Sequence, residues 1–266
     1  MSYRLTGWRK IAAALWDAPS DPQIYGAIEI DATAVQRVIA RARALGEHVT
    51  VTHLVGRALA HTLGAVPELN VRLVGDRAYP RETIDVFFIT SVAQGHDLTG
   101  VKIESVDHKP VIEVARELDR RSRAMKAGRD PDLARSKRTM EALPRRALRV
   151  ALRATAWAVG TRDLAIPPLG LAASTFGGAM VSSVGMLGIP MGFAPLAWLY
   201  AVPILILVGE IADKPVAIDG RVEVRPMLPL TATIDHRYVD GAQIGAALAA
   251  FRGYLEAPEK HEPALA

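Results

Sequence analysis

The sequence predicts a single α/β domain. The chain has 266 residues, half of them hydrophobic, which is enough to bury a full core. Segments with strand character alternate along it with segments of helical periodicity. The clearest strand patterns are Ile24–Ile30, Asp85–Val92 and Leu205–Val208, and the clearest helical patterns cover residues 33–45, 52–65 and 110–127. No polar linker divides these elements, so one domain over residues 1–257 is expected, with a flexible tail over 258–266.

The composition removes several classes of function. There are no cysteines, which excludes disulfides, thiolate nucleophiles and zinc–cysteine sites. The seven histidines are scattered and give no metal-ligand spacing, so no metal is expected. A net charge of +4 suits an anionic ligand such as a coenzyme phosphate, but it is too small and diffuse to indicate nucleic acid. The N-terminal residues lack the pattern of a signal peptide, so a cytoplasmic protein is expected.

Two stretches of the middle region are unusual. No charged side chain occurs between Asp163 and Glu210, a run with five prolines, which favours buried strands and tight turns over a membrane span. Residues 133–163 are instead basic and amphipathic, and they predict two helices broken at Pro144. We interpret them as a surface helix with a solvated basic face. A membrane-surface helix, a partner-binding helix and a wall for a polyanionic ligand are the alternatives, and membrane association is not expected.

The strongest chemical signal lies in residues 231–241. A strand pattern ends in Asp235-His236-Arg237, and a helical pattern begins after Asp240-Gly241. A histidine at the end of a strand is reachable by a ligand and rigidly held, and histidine is the usual group for proton transfer near neutral pH. On its own, this junction is equally consistent with solvated charges at a strand–turn–helix connection.

Further motifs resolve that ambiguity. Besides the His-x-x-x-Asp-Gly segment, they are Arg9-Lys10-Ile11-Ala12, Pro67–Asn70, Gly95–Ile103 and the Ser-x-x-Gly turn Ser182–Gly185. With these segments, the chain resembles the catalytic domain of the 2-oxoacid dehydrogenase acyltransferases and, more distantly, chloramphenicol acetyltransferase. The segments occur in the family's order, and the resemblance covers roughly residues 4–130 and 178–256. The resemblance implies a chloramphenicol acetyltransferase-like two-layer sandwich, with a mixed β-sheet flanked by helices.

The resemblance also implies a coenzyme A-dependent acyltransferase. His236 matches the general base, and Ser182 best matches the hydroxyl that stabilises the oxyanion, with Ser183 as the alternative. Asp240 belongs to the same candidate catalytic set. The resemblance implies that it has a structural part, through an ion pair with Arg9. The family forms trimers in which the histidine and the serine come from different subunits, so a homotrimer or a larger trimer-based assembly is expected.

Departures from the family leave other possibilities open. Coenzyme A would be a substrate, and a lipoyl group would have to come from a separate protein, because we expect neither the family's lipoyl domain nor its peripheral-subunit-binding domain in this chain. The stretch at about 133–178 looks like an atypical basic and apolar insertion. A catalytically inactive scaffold paralogue is therefore the alternative to an enzyme that transfers an acyl group to a thiol or hydroxyl acceptor such as dihydrolipoyl.

Overall fold

The computed structural model describes residues 21–74, 77–92, 97–126, 144–162, 164, 174–197 and 200–266. The strands of this part of the chain are β1 (Gln23–Asp31), β2 (Val71–Val74), β3 (Arg77–Pro80), β4 (Val86–Val92), β5 (Asp97–Ile103), β6 (Ala179–Ser183), β7 (Ile204–Val208), β8 (Ala212–Ile218) and β9 (Arg221–Asp235). The α-helices are α1 (Thr33–Ala44), α2 (Val51–Ala65), α3 (Val111–Lys126), α4 (Arg145–Thr155) and α5 (Gly241–Glu256).

Seven strands form one mixed sheet in the order β1-β9-β7-β6-β4-β5, and β8 pairs with the first half of the long strand β9. Strands β4, β6 and β7 run parallel to one another, while the other pairings in the sheet are antiparallel. The strands β2 and β3 form a separate hairpin. The predicted fold class, a mixed sheet flanked by helices, is confirmed.

Alternation along the strands gives the sheet two different faces. In β6, Ala179 and Val181 belong to the large core that contains the helices, whereas Met180 belongs to a smaller cluster with Val202 and Leu205. Successive strand residues point to opposite sides of a sheet, so these two clusters lie on opposite faces. We call the side of the large core the helix face and the other side the outer face.

The C-terminal tail is packed against the domain, which differs from the flexible tail predicted for residues 258–266. Short 3₁₀ turns at Pro258–Lys260 and Pro263–Leu265 follow α5. Leu265 lies in the large core, and Glu262 is only 1% exposed. No periodic signal marks this segment, because the tail is held by a buried carboxylate and a buried leucine and not by a regular amphipathic element.

Part of what the sequence predicts falls outside the described residues. This applies to Arg9 and to part of the insertion at 133–178, namely residues 133–143, 163 and 165–173. Of that insertion, the structure describes α4, which continues as a π-helix over Ala156–Thr161. Among the described helices, none is long and apolar enough to cross a membrane.

Candidate active site

His236 follows directly after β9, and its backbone is fixed on both sides. The His236 amide donates a hydrogen bond to the Pro22 carbonyl (2.9 Å), and the Asp235 amide donates one to the Pro203 carbonyl (2.8 Å). These bonds tie the end of β9 to the segments that precede β1 and β7. The His236 side chain is exposed. The strand therefore presents a rigidly attached imidazole at the edge of the domain, as the sequence predicts.

The two residues that flank His236, Asp235 and Arg237, form an ion pair that closes the turn. Asp235 is 7% exposed, and its carboxylate accepts hydrogen bonds from the Arg237 backbone amide (3.0 Å) and from Arg237 Nε (3.0 Å). The hydrogen bonds to Asp235 raise the pKa of the Arg237 guanidinium. Sequence reasoning assigned no role to this pair. Opposite charges at positions i and i+2 around a candidate base were the signal that could have revealed it.

Asp240 begins α5 as its N-cap. Its carboxylate accepts a hydrogen bond from the Ala242 amide (3.0 Å), and the Gln243 side chain accepts one from the Asp240 amide (3.2 Å). This reciprocal arrangement is a capping box, which satisfies amides that have no partner within the helix. The geometry gives Asp240 a structural contact within its own turn. Its expected ion pair with Arg9 lies outside the described residues and stays a prediction.

Ser182 and Ser183 end strand β6 on different faces. Because Met180 belongs to the outer-face cluster and Val181 to the helix-face core, alternation places Ser182 on the outer face and Ser183 on the helix face. Both residues are half-buried. The chain then turns at Gly185, where a Cβ atom would collide with the backbone of Gly209, so only glycine fits the turn.

Within one chain, Ser182 and His236 are far apart. The sheet register aligns Ser182 with Leu207 of β7 and Leu207 with Thr231 of β9. His236 lies five residues beyond Thr231, which is about 17 Å along a strand, and two strand spacings add about 10 Å sideways. The two residues are therefore separated by about 20 Å, whereas a shared reaction needs contacts of about 3 Å. The structure does not bring the predicted base and oxyanion residue together in a single subunit.

A buried polar network on the helix face was not foreseen. Glu262 accepts hydrogen bonds from Arg57 Nε (2.9 Å), from the Val111 amide (2.8 Å) and from the Tyr254 hydroxyl. Arg57 also donates to the Val106 carbonyl. An arginine inside the apolar stripe of α2 was the available signal, because a buried guanidinium requires a partner.

A cavity of about 380 Å³ opens beside this network. His61 and His261, whose ring centroids are 4.7 Å apart, line it together with Arg57 and Tyr254. Burial and the nearby Arg57 lower the pKa of His61, and burial with His61 nearby lowers that of His261, so both imidazoles are neutral near pH 7. None of the residues proposed for catalysis lines this cavity.

The fold and the strand-end histidine define the class of protein, a two-layer α/β domain with a candidate base at its edge. The particular family follows from comparison with known proteins. The model of the 2-oxoacid dehydrogenases acyltransferase (catalytic domain) matches residues 2–134 and 148–262. The chain therefore belongs to this family of enzymes. Only residues 135–147 interrupt the match, so the unmatched stretch is shorter than the predicted insertion.

Individual relatives agree with this assignment. The chain is 43% identical over 51 residues to the lipoamide acyltransferase component of the branched-chain alpha-keto acid dehydrogenase complex of Pseudomonas putida, and the match spans 19% of this chain and 12% of that protein. A probable dihydrolipoamide acetyltransferase of Listeria monocytogenes has the same fold, with a TM-score of 0.66, 21% identity, and coverage of 96% and 94% of the two chains.

A third relative comes from Azotobacter vinelandii. Its dihydrolipoamide acetyltransferase superposes with a TM-score of 0.66 at 20% identity, covering 91% of this chain and 84% of that one. That protein was studied for the role of a serine, a histidine and an asparagine in its catalytic mechanism. At this level of identity, the superposition establishes the shared fold.

Proposed function

We propose that this protein transfers acyl groups between coenzyme A and a thiol or hydroxyl acceptor, at a site shared by two copies of the chain. His236 removes the proton from the acceptor, and the resulting anion attacks the carbonyl carbon of the acyl thioester. The Ser182 hydroxyl donates a hydrogen bond to the tetrahedral oxyanion. As the intermediate collapses, the coenzyme A thiolate leaves and takes the proton from the His236 imidazolium.

The observation that carries this proposal is the placement of His236. Family membership supplies the class of reaction, and the anchored backbone and exposed imidazole of His236 provide a base at the edge of the domain. A base inside a core could not reach a partner subunit or a large substrate, whereas a base on a mobile loop would lose its alignment.

The separation of about 20 Å supports a site between subunits. Ser182 ends β6 and His236 follows β9 at the opposite end of the sheet, with β7 between the two strands. Rotation about a symmetry axis can therefore bring the serine end of one copy to the histidine end of the next. A homotrimer gives three such sites. The face of the sheet favours Ser182 over Ser183, because Ser183 points toward the helix layer of its own subunit.

Asp240 occupies an informative position. In the Azotobacter vinelandii protein, the asparagine studied lies four residues after the histidine, which is the spacing between His236 and Asp240. Asparagine and aspartate are both good helix N-caps. We infer that Asp240 holds the start of α5 and thereby the turn that carries His236, and that it does not relay protons.

The acceptor that we favour is a dihydrolipoyl group on a separate protein. The Pseudomonas putida relative is a lipoamide acyltransferase component of a multienzyme complex. Its match to this chain spans 12% of its own length, so its substrate and partners transfer to this chain only as a proposal. Coenzyme A is the proposed donor, since the domain's excess of positive charge suits an anionic coenzyme.

The first test measures acyl transfer from acetyl-, succinyl- and branched-chain acyl-coenzyme A to dihydrolipoamide. We expect His236→Ala to lower the rate by about 100- to 10,000-fold, because a general base contributes that much. His108→Ala is the matched control, since His108 is another exposed histidine and lies outside the proposed site. No transfer by the unaltered protein with any donor, or equal rates for the two variants, would contradict the proposal.

The second test addresses the shared site directly. Co-expressed His236→Ala and Ser182→Ala chains can form mixed trimers in which some interfaces combine an intact histidine with an intact serine. With equal amounts and random assembly, about a quarter of the interfaces are intact, so about a quarter of the activity returns. Each variant alone stays inactive. A site contained within one chain predicts no recovery in the mixture.

The same measurements also test the alternative function, that of a catalytically inactive scaffold paralogue. A trimer that neither binds coenzyme A nor transfers acyl groups would be a structural protein of the same fold. Calorimetric titration with coenzyme A distinguishes the two, since the enzyme binds it and the scaffold does not.

A further inference from the structure

Part of the exposed side of helix α4 is apolar, which is unusual for a surface helix. Val150 is 68% exposed, and Trp157, two turns further along, is 54% exposed. A spacing of seven residues places both side chains on the same side of a helix. The half-buried positions Ala151 and Leu152 lie on the other side. Ala147 and Ala154 are exposed next to Val150, so a strip of small and large apolar side chains lies on the outside of the helix.

Positive charge borders this stripe. Arg146 and Arg153 are exposed on one flank of Val150, at positions i−4 and i+3, while alanines occupy the other flank. The Arg162 guanidinium lies over the Trp157 ring, 5.1 Å from its centroid. Five arginines and no acidic residue occur between Pro144 and Arg162. The exposed surface combines apolar side chains with cations that no carboxylate of the same segment neutralises.

We propose that α4 and its continuation to Arg162 lie in the headgroup region of an anionic membrane. A helix with an aromatic and aliphatic stripe bordered by arginines binds at the interface between headgroups and acyl chains, with its axis in the membrane plane. Val150 and Trp157 enter the apolar layer, and Arg146 and Arg153 contact lipid phosphates. The membrane contact involves the exposed face of α4 alone and does not depend on the proposed reaction.

Several features favour a lipid surface over other occupants. Tryptophan is enriched at membrane interfaces because its ring is apolar and its N–H is polar. At 11 residues, α4 is too short to span a bilayer, which requires about 20. The charge complements anionic headgroups and argues against a second copy of the same basic helix. The sequence favoured a solvated basic face. The structure changes that interpretation because it shows which side of the helix is outside.

The test is cosedimentation of the full-length protein with vesicles of phosphatidylcholine and phosphatidylglycerol in equal amounts. The Val150→Asp variant should bind at least about 10-fold more weakly, since it places a carboxylate in the apolar layer. Val222→Asp is the matched control, because Val222 is an exposed valine (77%) on a β-strand elsewhere. Unchanged circular dichroism and melting temperature of both variants show that they are folded.

A second pair of variants isolates the charge contribution. Arg146→Gln combined with Arg153→Gln should weaken binding by about 30-fold at low salt, since each arginine near an anionic surface contributes about 5-fold. Replacement of both by lysine should restore binding. Vesicles of phosphatidylcholine alone, and 0.5 M salt, should each reduce binding of the unaltered protein.

Other results would overturn the proposal. Equal vesicle binding by Val150→Asp and the unaltered protein would exclude α4 as the contact. Absence of binding to anionic vesicles at low salt would exclude the membrane altogether. Binding to polyglutamate that depends on Val150, without binding to vesicles, would identify an acidic protein as the partner. A change in native mass in Val150→Asp would identify a second copy of the chain.

Discussion

The two faces of the sheet differ in how complete they are within one chain. On the helix face, even the charged groups have partners, as the Arg57–Glu262 pair shows. On the outer face, Ser182 has its proposed catalytic partner about 20 Å away. Several large apolar side chains near the outer face and the turn after β6 are also exposed, namely Tyr25, Met186, Leu187, Met191 and Phe193. One face is covered by the chain's own helices, whereas the other carries exposed apolar side chains that we propose a second copy covers.

This difference separates the residues that keep the domain folded from those proposed to act in catalysis. The helix face joins α2, α3 and α5 through Glu262, which contacts each of them. The outer face carries the segment 189–197, where the hydroxyls of Thr231 and Thr233 donate to the carbonyls of Gly192 and Ala194. Variants on the helix face should therefore change stability, and variants on the outer face should change association and activity.

The largest expected effect on stability comes from Glu262→Ala. Its loss leaves the Arg57 guanidinium buried and unpaired, and it removes a hydrogen-bond partner from the first turn of α3. We expect the free energy of unfolding to fall by about 3–5 kcal/mol, as measured by urea denaturation. Glu256→Ala is the control, because Glu256 forms only an exposed pair with Arg252 and should cost less than about 0.5 kcal/mol. Similar losses would show that the network is not a buried ion pair.

The next effect is a dependence of stability on pH. Burial lowers the pKa of His53 to about 4, and its Nδ1 accepts a hydrogen bond from the Thr50 amide at the start of α2. In the unfolded chain this pKa is about 6.5, so between pH 6.5 and 4 the unfolded state binds more protons. Stability is complete above pH 6.5 and falls by about 3 kcal/mol as the pH drops to 4.

The variant His53→Gln should reduce this dependence. Glutamine keeps an acceptor at the third helical position but does not titrate. Unfolding measured from pH 7.5 to 4 should give a flatter profile than that of the unaltered protein. His108→Gln should keep the original slope, since His108 is exposed. Identical slopes for all three proteins would mean that His53 is not the titrating group.

On the outer face, Met186→Asp tests association. Met186 is exposed just after β6, so the folded subunit should lose less than about 0.5 kcal/mol of stability. If a second copy covers this surface, a buried charge should weaken the trimer by at least about 10-fold in sedimentation equilibrium. Leu45→Asp, an exposed leucine at the end of α1, provides the comparison. Equal masses for the two variants would exclude Met186 from the interface.

The smallest effect concerns the junction at Asp240. Asp240→Ala should lower the free energy of unfolding by about 1 kcal/mol through loss of the α5 cap, whereas Asp240→Asn should cost only a few tenths. If Asp240 only holds the turn, the asparagine variant keeps its acyltransferase activity. A large loss of activity with unchanged stability would instead give Asp240 a direct part in proton transfer.

Local patterns predicted much of the fold. The helices expected over 33–45 and 52–65 are observed as α1 and α2, because their apolar stripes have helical spacing and the chain reverses at Gly46, which has a positive φ of 78°. The predicted strands Ile24–Ile30 and Leu205–Val208 lie within β1 and β7. Such signals depend only on neighbouring residues, so they can be read without knowledge of the tertiary structure.

Long-range contacts were not predictable in the same way. Glu262 meets Arg57 across 205 positions of sequence, and no periodicity connects a carboxylate in a proline-rich tail with an arginine in a helix. The direction of the apolar stripe of α4 was also open, because amphipathic spacing defines a stripe but not what covers it.

By itself, the sequence determined the class of fold, the family resemblance and the histidine at the end of a strand, since each is encoded in short ordered segments. The tertiary structure decided where these features lie relative to one another. It separated His236 from Ser182, it distinguished Ser182 from Ser183 by the face of the sheet, and it anchored the tail through Glu262. The physical reason is that strand register and buried charge pairing are set by the packing of distant segments, to which local sequence contributes only one partner at a time.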